Sequence, residues 1–565
     1  MSGPRRAQPS PAASPRQDRG AAQGGWRPGV RRPTALAARV GEPSVWGPLL
    51  LILALAAAAR LPTLSLQSFW YDEAYTPVHV LHASLAATLR SVATNENTPP
   101  LWYVLVWAIS RVLGTGVVAL RLLSALAGVA LVGVGWAIGM ELGSRRTAAM
   151  LAAILALNPL MVWYSQEARA YELYALLAAV SLLCFLRAFR APRGTALALW
   201  SLSSVLALLT HYFAVFLLVP EALALLLRVR TPSRASGSRK RAPGLGIAAS
   251  APATGLSAVS PPRPALLRQT LLALAAVLAC GAALAPLVSA QAGRGTQWIG
   301  AWALSDRLVA IPGYFLLGAN GSVLGHGLLA LAALPLLAAV FLAYLLLRRG
   351  ALTRAQIEAG ALVLGLGVVA ILIPLALALV GTDYLAPRNL IADWVPLCAA
   401  LALVLAAGGR AGVLLCVVIC LSGAGVLVAT ELDPRLERAD WNAVARALAP
   451  GSRERAIVTV ELGAAPLEYY LPHLQLRYLS RRLSASVREI DLVGYAPLRR
   501  GALRPPTPAF SLLARSDTNG LLAYRYVAAT PQRVSGRFLR RLTITAGETN
   551  TSEALLPAAI PATRR

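Results

Sequence analysis

The sequence predicts a polytopic α-helical membrane protein of about eleven transmembrane helices, followed by a C-terminal α/β domain. Three observations predict it. Hydrophobic residues make up 57% of the 565 and charged residues only 14%, against about 25% charged in ordinary soluble domains. The apolar residues gather into blocks long enough to cross a bilayer. Short arginine clusters separate the blocks, in a chain with 53 Lys+Arg, 25 Asp+Glu and a net charge of +28. Such an excess would suggest nucleic acid in a soluble protein. Here it sets topology, and no nucleic-acid partner is expected.

Residues 1–43, rich in Pro, Gly, Ala and Arg, read as a disordered basic cytoplasmic tail, too long and too basic for a signal peptide. The transmembrane domain is placed at 44–430. Its first span is about Val45–Leu61, with Arg60 snorkelling at the outer end. A long outer loop, 62–119, follows, and it contains the segment Leu101–Leu113. Were that short segment a span, Arg145/Arg146 and Arg187/Arg190/Arg193 would fall outside the cell. Read as a surface helix, it leaves them all inside, as the positive-inside rule prefers.

The remaining spans then fall into register. Span two is about Leu120–Leu142, span three about Thr147–Trp163, and span four returns to Arg187–Arg193. Spans five and six form a hairpin with His211 and Tyr212 at its outer tip. A cytoplasmic flexible loop at 229–268 carries Arg239, Lys240 and Arg241 and no acid, a composition that attracts anionic membrane lipid. Span seven, an outer loop at 291–325 and spans eight to eleven complete the domain. The protein is therefore expected as a multi-pass protein of the cell membrane, with residues 431–565 forming a small extracytoplasmic α/β domain. In that domain "RADWNAVARAL" and "APLEYYLPHL" read as helices, and "AIVTVEL", "EIDLVGY" and "LLAYRYVAA" as strands.

The five cysteines lie in apolar stretches without C-x-x-C spacing and read as small core residues. The chain has no P-loop, no G-x-S-x-G and no Rossmann fingerprint, so nothing marks a cytoplasmic nucleotide site. Asn320-Gly321-Ser322 and Asn550-Thr551-Ser552 match the glycosylation sequon, a pattern frequent by chance.

This topology gathers acids, arginines and aromatics at the outer face. Trp70-Tyr71-Asp72-Glu73 and Glu96 come from the first loop, Glu167, Arg169 and Tyr171 from the end of span three, then His211, and later Arg388. A carboxylate partly removed from water beside a like charge suits a general base on a hydroxyl, so Asp72 and Glu73 are the candidates. A solvated loop start or a helix cap accounts for them too. Glu167 and Arg169 fit a headgroup-level pair and equally a carboxylate-held phosphate receptor. Arg388 alone fits an interfacial anchor better than a second phosphate contact. His211 reads as a polar residue satisfied at a helix end, and His79 and His82, three apart, could share a helix face. No metal ligand set is assigned.

In order along the chain, "FWYDEAYT", "NENTPPLWYVL", "ALRLLSALAG", "NPLMVWYSQEARAYEL", "THYF" and "YLAPRNL" resemble bacterial glycosyltransferase family 39. That family lies in the GT-C superfamily, with the protein O-mannosyltransferases and the lipid A aminoarabinose transferase as relatives. The resemblance covers about Leu61–Asp393 and continues through "RADWNAVARAL" to "EYYL". It implies a GT-C-like fold and an inverting transfer of a hexose or pentose from a polyprenyl-phosphate donor to a glycan, lipid or protein acceptor. It places the catalytic base at Asp72, with Glu73 beside it, and the donor phosphate near Arg169 and Arg388. Trp70, Tyr71, Glu96, Glu167, Tyr171 and His211 then line the substrates. Many members have His where this chain has Thr98, which weakens a metal proposal there. A divalent cation is left open as a cofactor, and none is assigned. The alternative reading is a lipid-linked glycan flippase that binds phosphate through the same arginines and needs no base.

Overall fold

In the computed structural model the chain is an α-helical bundle that leads into a β-sheet domain. The structure describes residues 43–230, 263–294, 297–319, 321–498, 501, 504–546 and 552–564. The expected basic tail at 1–43 therefore lies outside them except for its last residue, as do residues 231–262 of the expected cytoplasmic loop and both sequon asparagines. Residues 48–565 form one compact unit.

Helix α1 spans Pro43–Ala58. The first loop carries α2 (Tyr71–Tyr75), α3 (Leu85–Asn95) and α4 (Leu101–Leu113). The bundle continues with α5 (Val117–Leu142), α6 (Arg145–Leu157), α7 (Pro159–Ser165), α8 (Tyr171–Arg190), α9 (Gly194–Thr210) and α10 (Val215–Arg230). It closes with α11 (Arg263–Gln291), α12 (Gln297–Ala301), α13 (Leu304–Leu317), α14 (Gly321–Arg348), α15 (Arg354–Leu379), α16 (Trp394–Ala407) and α17 (Gly409–Leu432).

Among the described residues seven helices are long and apolar enough to cross a membrane, or eight if the bent pair α6–α7 counts as one. Helix length thus supports seven or eight of the eleven expected spans. The hairpin partners α9 and α10 have only 17 and 16 residues, or roughly 25 Å each at about 1.5 Å per residue. Buried polar contacts tie this short hairpin together instead. Glu221 Oε2 on α10 accepts from Ser181 Oγ on α8 and from Trp200 Nε1 on α9, both at 2.8 Å.

The bend between α6 and α7 measures 59°. Asn158 caps α7 by accepting from Met161 N, and Pro159 supplies a first helical position that needs no N–H. The break strands the carbonyls at the end of α6. Arg60 satisfies them, donating Nη2 to Leu155 O at 3.1 Å, Nη1 to Ala156 O at 2.8 Å and Nε to Ser165 Oγ at 3.0 Å. Arg60 is fully buried, so it does not snorkel to water as expected; the donor-poor break draws it inward. Close approach here needs Gly128 on α5, where a Cβ would fall on Ser165 Oγ and Arg60 Nε.

Helix α4 buries Trp102, Tyr103, Val106 and Ser110 along one stripe and leaves its other face open, as a surface helix should. His79 lies in a one-turn π-helix, Thr76–Val80, and His82 follows it in irregular chain, so the two do not share a helix face.

After α17 come α18 (Trp441–Leu448), α19 (Ala464–Tyr470), α20 (Gly536–Leu539) and seven strands: β1 (Arg455–Thr459), β2 (Arg477–Tyr478), β3 (Leu483–Tyr495), β4 (Phe510–Thr518), β5 (Leu521–Ser535), β6 (Glu553–Leu556) and β7 (Thr563–Arg564). Among the described residues the sheet runs β2-β6-β1-β3-β5-β4, with β7 also on β3. The β1–β3 pair is parallel and the rest are antiparallel. The expected helices and strands of this region are all present. Asn519 and Gly520, both at positive φ, make the two-residue turn between β4 and β5. One apolar cluster, including Trp441, Ile457 and Leu467, holds α18 and α19 on the sheet, and Trp70 of the first loop packs against it.

The stranded carbonyls at the bend give a test. Arg60→Leu should lower the thermal unfolding midpoint of the purified protein, at about 1–3 kcal/mol for each buried group left unpaired. Adding Pro159→Ala should recover part of the loss, because residue 159 then donates its own N–H to Leu155 O.

Candidate functional site

Asp72 and Glu73 sit in the first turn of α2. Neighbours on a helix point about 100° apart, so adjacent carboxylates enter different surroundings. Glu73 is fully buried and takes a bidentate pair from Arg121 of α5, at 2.7 Å and 2.6 Å. Its Oε1 also accepts from Ala168 N at 2.8 Å. Burial alone would raise the Glu73 carboxyl. The Arg121 charge and hydrogen bonds outweigh that and hold it below the ordinary range. Arg121 donates further to the carbonyls of Leu64, Gln67 and Ser68. Glu73 and Arg121 therefore fasten the first loop to α5 and to the turn that carries Glu167 and Arg169.

Asp72 faces the other way and meets Arg388. Arg388 Nη1 donates to Asp72 Oδ2 at 3.3 Å, with 24% and 18% of the two side chains exposed. Arg388 stands at the start of the short 3₁₀ helix Pro387–Asp393, just before α16. Arg307 on α13 holds the approach to it, with a bidentate pair to Asp383 at 2.6 Å and a bond to Leu385 O. The Arg388 guanidinium lies 4.6 Å from the Trp298 ring centroid and 5.8 Å from that of Tyr171, so two π faces fix its plane. Its Nε is buried and has no hydrogen-bond partner among the described residues.

Arg169 lies behind this pair. It makes a two-point contact with Glu96 at 3.1 Å and 3.3 Å, and Nη1 reaches the Asp72 carbonyl at 3.4 Å. Gln291 at the end of α11 steadies the Glu96 segment by donating to Val92 O and Thr98 O, and it accepts from the Tyr212 hydroxyl at 2.7 Å. His211 stacks on Tyr174 with centroids 4.9 Å apart and also contacts Tyr171. Burial, with Arg169 and Arg388 nearby, pushes His211 down to about 3, so the ring is neutral.

Glu167 is buried near the same groups. Its Oε2 meets Arg438 Nη2 at 3.4 Å, while Oε1 has no partner among the described residues. Burial pushes its carboxyl up to about 7, against the pull of Arg438. Arg438 comes from the link between α17 and α18. It donates to Trp163 O at 2.9 Å, meets Gln67 Oε1 through both its backbone N–H and Nη1, and lies 4.0 Å from the Trp163 ring centroid.

The structure thus brings Asp72, Arg388, Tyr171, Arg169, Glu96 and Glu167 together, with half-buried Tyr71 next to Asp72 in the chain. His211 stands behind Tyr171 as a stacked ring. Trp70 turns toward the sheet domain instead. Arg121, Arg438 and Gln67 escaped the sequence reading. An arginine inside an apolar run is the signal for Arg121; Arg438 opens the run read as a helix, and nothing there marks its contact with Glu167. Among the described residues no three His, Cys, Asp or Glu side chains converge as a metal-holding group.

The arrangement is a carboxylate facing a cation, with acids and aromatics around both. Residues 97–252 match the profile of the dolichyl-phosphate-mannose-protein mannosyltransferase family. No curated protein sequence matches the chain. Among solved structures, the fold is similar to ArnT from Cupriavidus metallidurans bound to undecaprenyl phosphate, with a TM-score of 0.50, 12% identity, and coverage of 86% of this chain and 98% of that one. It is also similar to the apo state of that protein, with a TM-score of 0.48, 12% identity, and coverage of 76% and 85%. The Archaeoglobus fulgidus oligosaccharyltransferase matches with a TM-score of 0.39, 14% identity, and coverage of 75% and 57%. The resemblance read from the motifs is matched by both sequence profile and fold.

Breaking the buried Glu73–Arg121 pair should cost about 3–5 kcal/mol by leaving one charge unpaired. Arg121→Gln is expected to reduce the yield of monodisperse protein in size-exclusion chromatography far more than Asp72→Asn does.

Proposed function

We propose that this chain is a membrane glycosyltransferase that moves a sugar from a polyprenyl-phosphate donor to a hydroxyl of an extracytoplasmic acceptor, with inversion. The observation that carries the reading is the Asp72–Arg388 pair, a carboxylate and a phosphate-sized cation 3.3 Å apart. In the reaction the acceptor O–H gives its proton to Asp72 as the oxygen attacks the anomeric carbon. The bond from that carbon to the phosphate oxygen breaks on the opposite side, and polyprenyl phosphate leaves with its electron pair. One base and one in-line displacement invert the centre.

Arg388 is the first phosphate ligand in this scheme, since its Nε is unsatisfied and its plane is fixed by Trp298 and Tyr171. Donor phosphate then competes with Asp72 for Arg388, so donor binding frees the base. Arg169, held by Glu96, adds positive potential behind the base. Glu73 is assigned a positioning role in place of a shared base, because Arg121 and Ala168 N–H occupy its oxygens. Trp70 is assigned to packing for the same kind of reason.

The same reading places the site on the outer face. Arg145/Arg146, Arg187/Arg190 and Arg348/Arg354 lie at helix ends opposite in chain order to the loops that carry the site, which supports a cytoplasmic N-terminus and an outer sheet domain. Residues 44–430 then form the catalytic membrane domain and 431–565 the extracytoplasmic one. The mannosyltransferase profile makes undecaprenyl-phosphate mannose the first donor to try.

With that donor and an envelope extract as acceptor, Asp72→Asn should lower transfer by about 10²–10⁴ while binding of undecaprenyl phosphate persists. Retained transfer would remove Asp72 from the role. Arg388→Ala, which loses a charged hydrogen bond of about 1.5–3 kcal/mol, should raise the donor KM roughly ten- to a hundredfold. Product formed in detergent, where nothing can be transported, excludes the flippase alternative.

A further inference from the structure

The link from α17 to α18 crosses under the catalytic loop, and one of its side chains is built into the site. The Arg438 side chain is only 2% exposed and touches three separate segments: Gln67 of the first loop, Trp163 of α7 and Glu167 of the following turn. Its guanidinium donates to Gln67 Oε1 and Trp163 O and lies over the Trp163 ring. What the guanidinium does is choose between the two oxygens of Glu167. Oε2 is engaged at 3.4 Å, and Oε1 is left buried without a partner among the described residues. Glu167 lies within electrostatic reach of Asp72 and Arg388, the two groups of the transfer site.

We propose that Arg438 is a positioning residue of the transfer site, tying Oε2 of Glu167 so that Oε1, as an anion, accepts a hydrogen bond from a hydroxyl of the bound sugar. The inference rests on the transferase reading above. It means that the sheet domain's linker completes a site otherwise made by the membrane domain. The groups facing Glu167 are the cations Arg438, Arg388 and Arg121, the carboxylates Glu73 and Asp72, and the hydroxyls of Tyr71, Tyr164, Tyr171 and Tyr314. Among the cations only Arg438 is in direct contact. With that charge in place burial still leaves the Glu167 carboxyl at about 7. Its removal should move the titration upward by about 1–3 units, the range for an adjacent opposite charge.

The test uses the full chain in nanodiscs. Infrared titration of protonated carboxyl, with the Glu167 band assigned by its loss in Glu167→Gln, reads the tie without turnover. Arg438→Gln should shift that band's midpoint upward by about 1–3 units, and Arg438→Lys should restore it. With undecaprenyl-phosphate mannose as donor, Arg438→Gln should lower kcat/KM at neutral pH by roughly five- to five-hundredfold, recovering as pH rises. The same substitution should have little added effect in a Glu167→Gln background. An unmoved midpoint, or a loss of kcat/KM fully additive to that of Glu167→Gln, overturns the proposal. Transfer by the unsubstituted protein keeps the two ideas apart, because its absence sinks the transferase reading and leaves the infrared result standing.

Discussion

The buried pair between Glu73 and Arg121 is the constraint on which the site depends. Arg121 reaches out of α5 to gather three carbonyls of the first loop, and Glu73 reaches back to the amide of Ala168. Between them they set where Asp72 stands relative to Arg388 and Arg169. A loop of this length has no rigidity of its own, and side chains fix its geometry at a few points. The pair achieves this because both side chains are buried and each of their polar atoms has a partner, the condition under which a buried charge specifies one arrangement.

The same principle recurs through the bundle. Arg60 fills the break before Pro159, Arg307 fastens the chain before Arg388, and Glu221 joins three helices. Each is a charged side chain inside or beside an apolar segment, and each meets groups that would otherwise be unsatisfied. In the site, Arg388 Nε and Glu167 Oε1 are buried and unpartnered among the described residues, as are atoms of Glu172, Glu221, Arg307 and Asp393 elsewhere. Within the site, such unmet hydrogen-bonding capacity is open to a polar ligand.

Much of this was legible in the sequence. Apolar block lengths gave the long helices. The D-E pair and the E-A-R run named the two segments that meet. Three strands of the last domain, β1, β3 and β5, followed from apolar runs, whereas β2, β4, β6, β7 and the Asn519–Gly520 turn were not read. Legibility stopped where partners are set by three-dimensional proximity. Asp72 and Glu73 look equivalent in the chain, and only the helical rotation between them sends one to Arg121 and the other to Arg388. Arg60 looked like a snorkelling residue because its partners, the carbonyls of Leu155 and Ala156, lie some hundred residues on. Arg438 reads as the opening residue of a helix, and nothing local marks its reach to Glu167.

The sheet domain grips the first loop at several points. The Tyr470 hydroxyl accepts from Phe69 N at 2.7 Å, Tyr469 donates to Thr115 O at 3.1 Å, and Glu468 faces His79 at 3.8 Å. For chimera construction the natural cut after α17 is therefore the wrong one. A foreign C-terminal portion would bring its own tyrosines to a loop shaped for these, and a functional exchange must transplant the loop and the portion that clasps it as a single cassette.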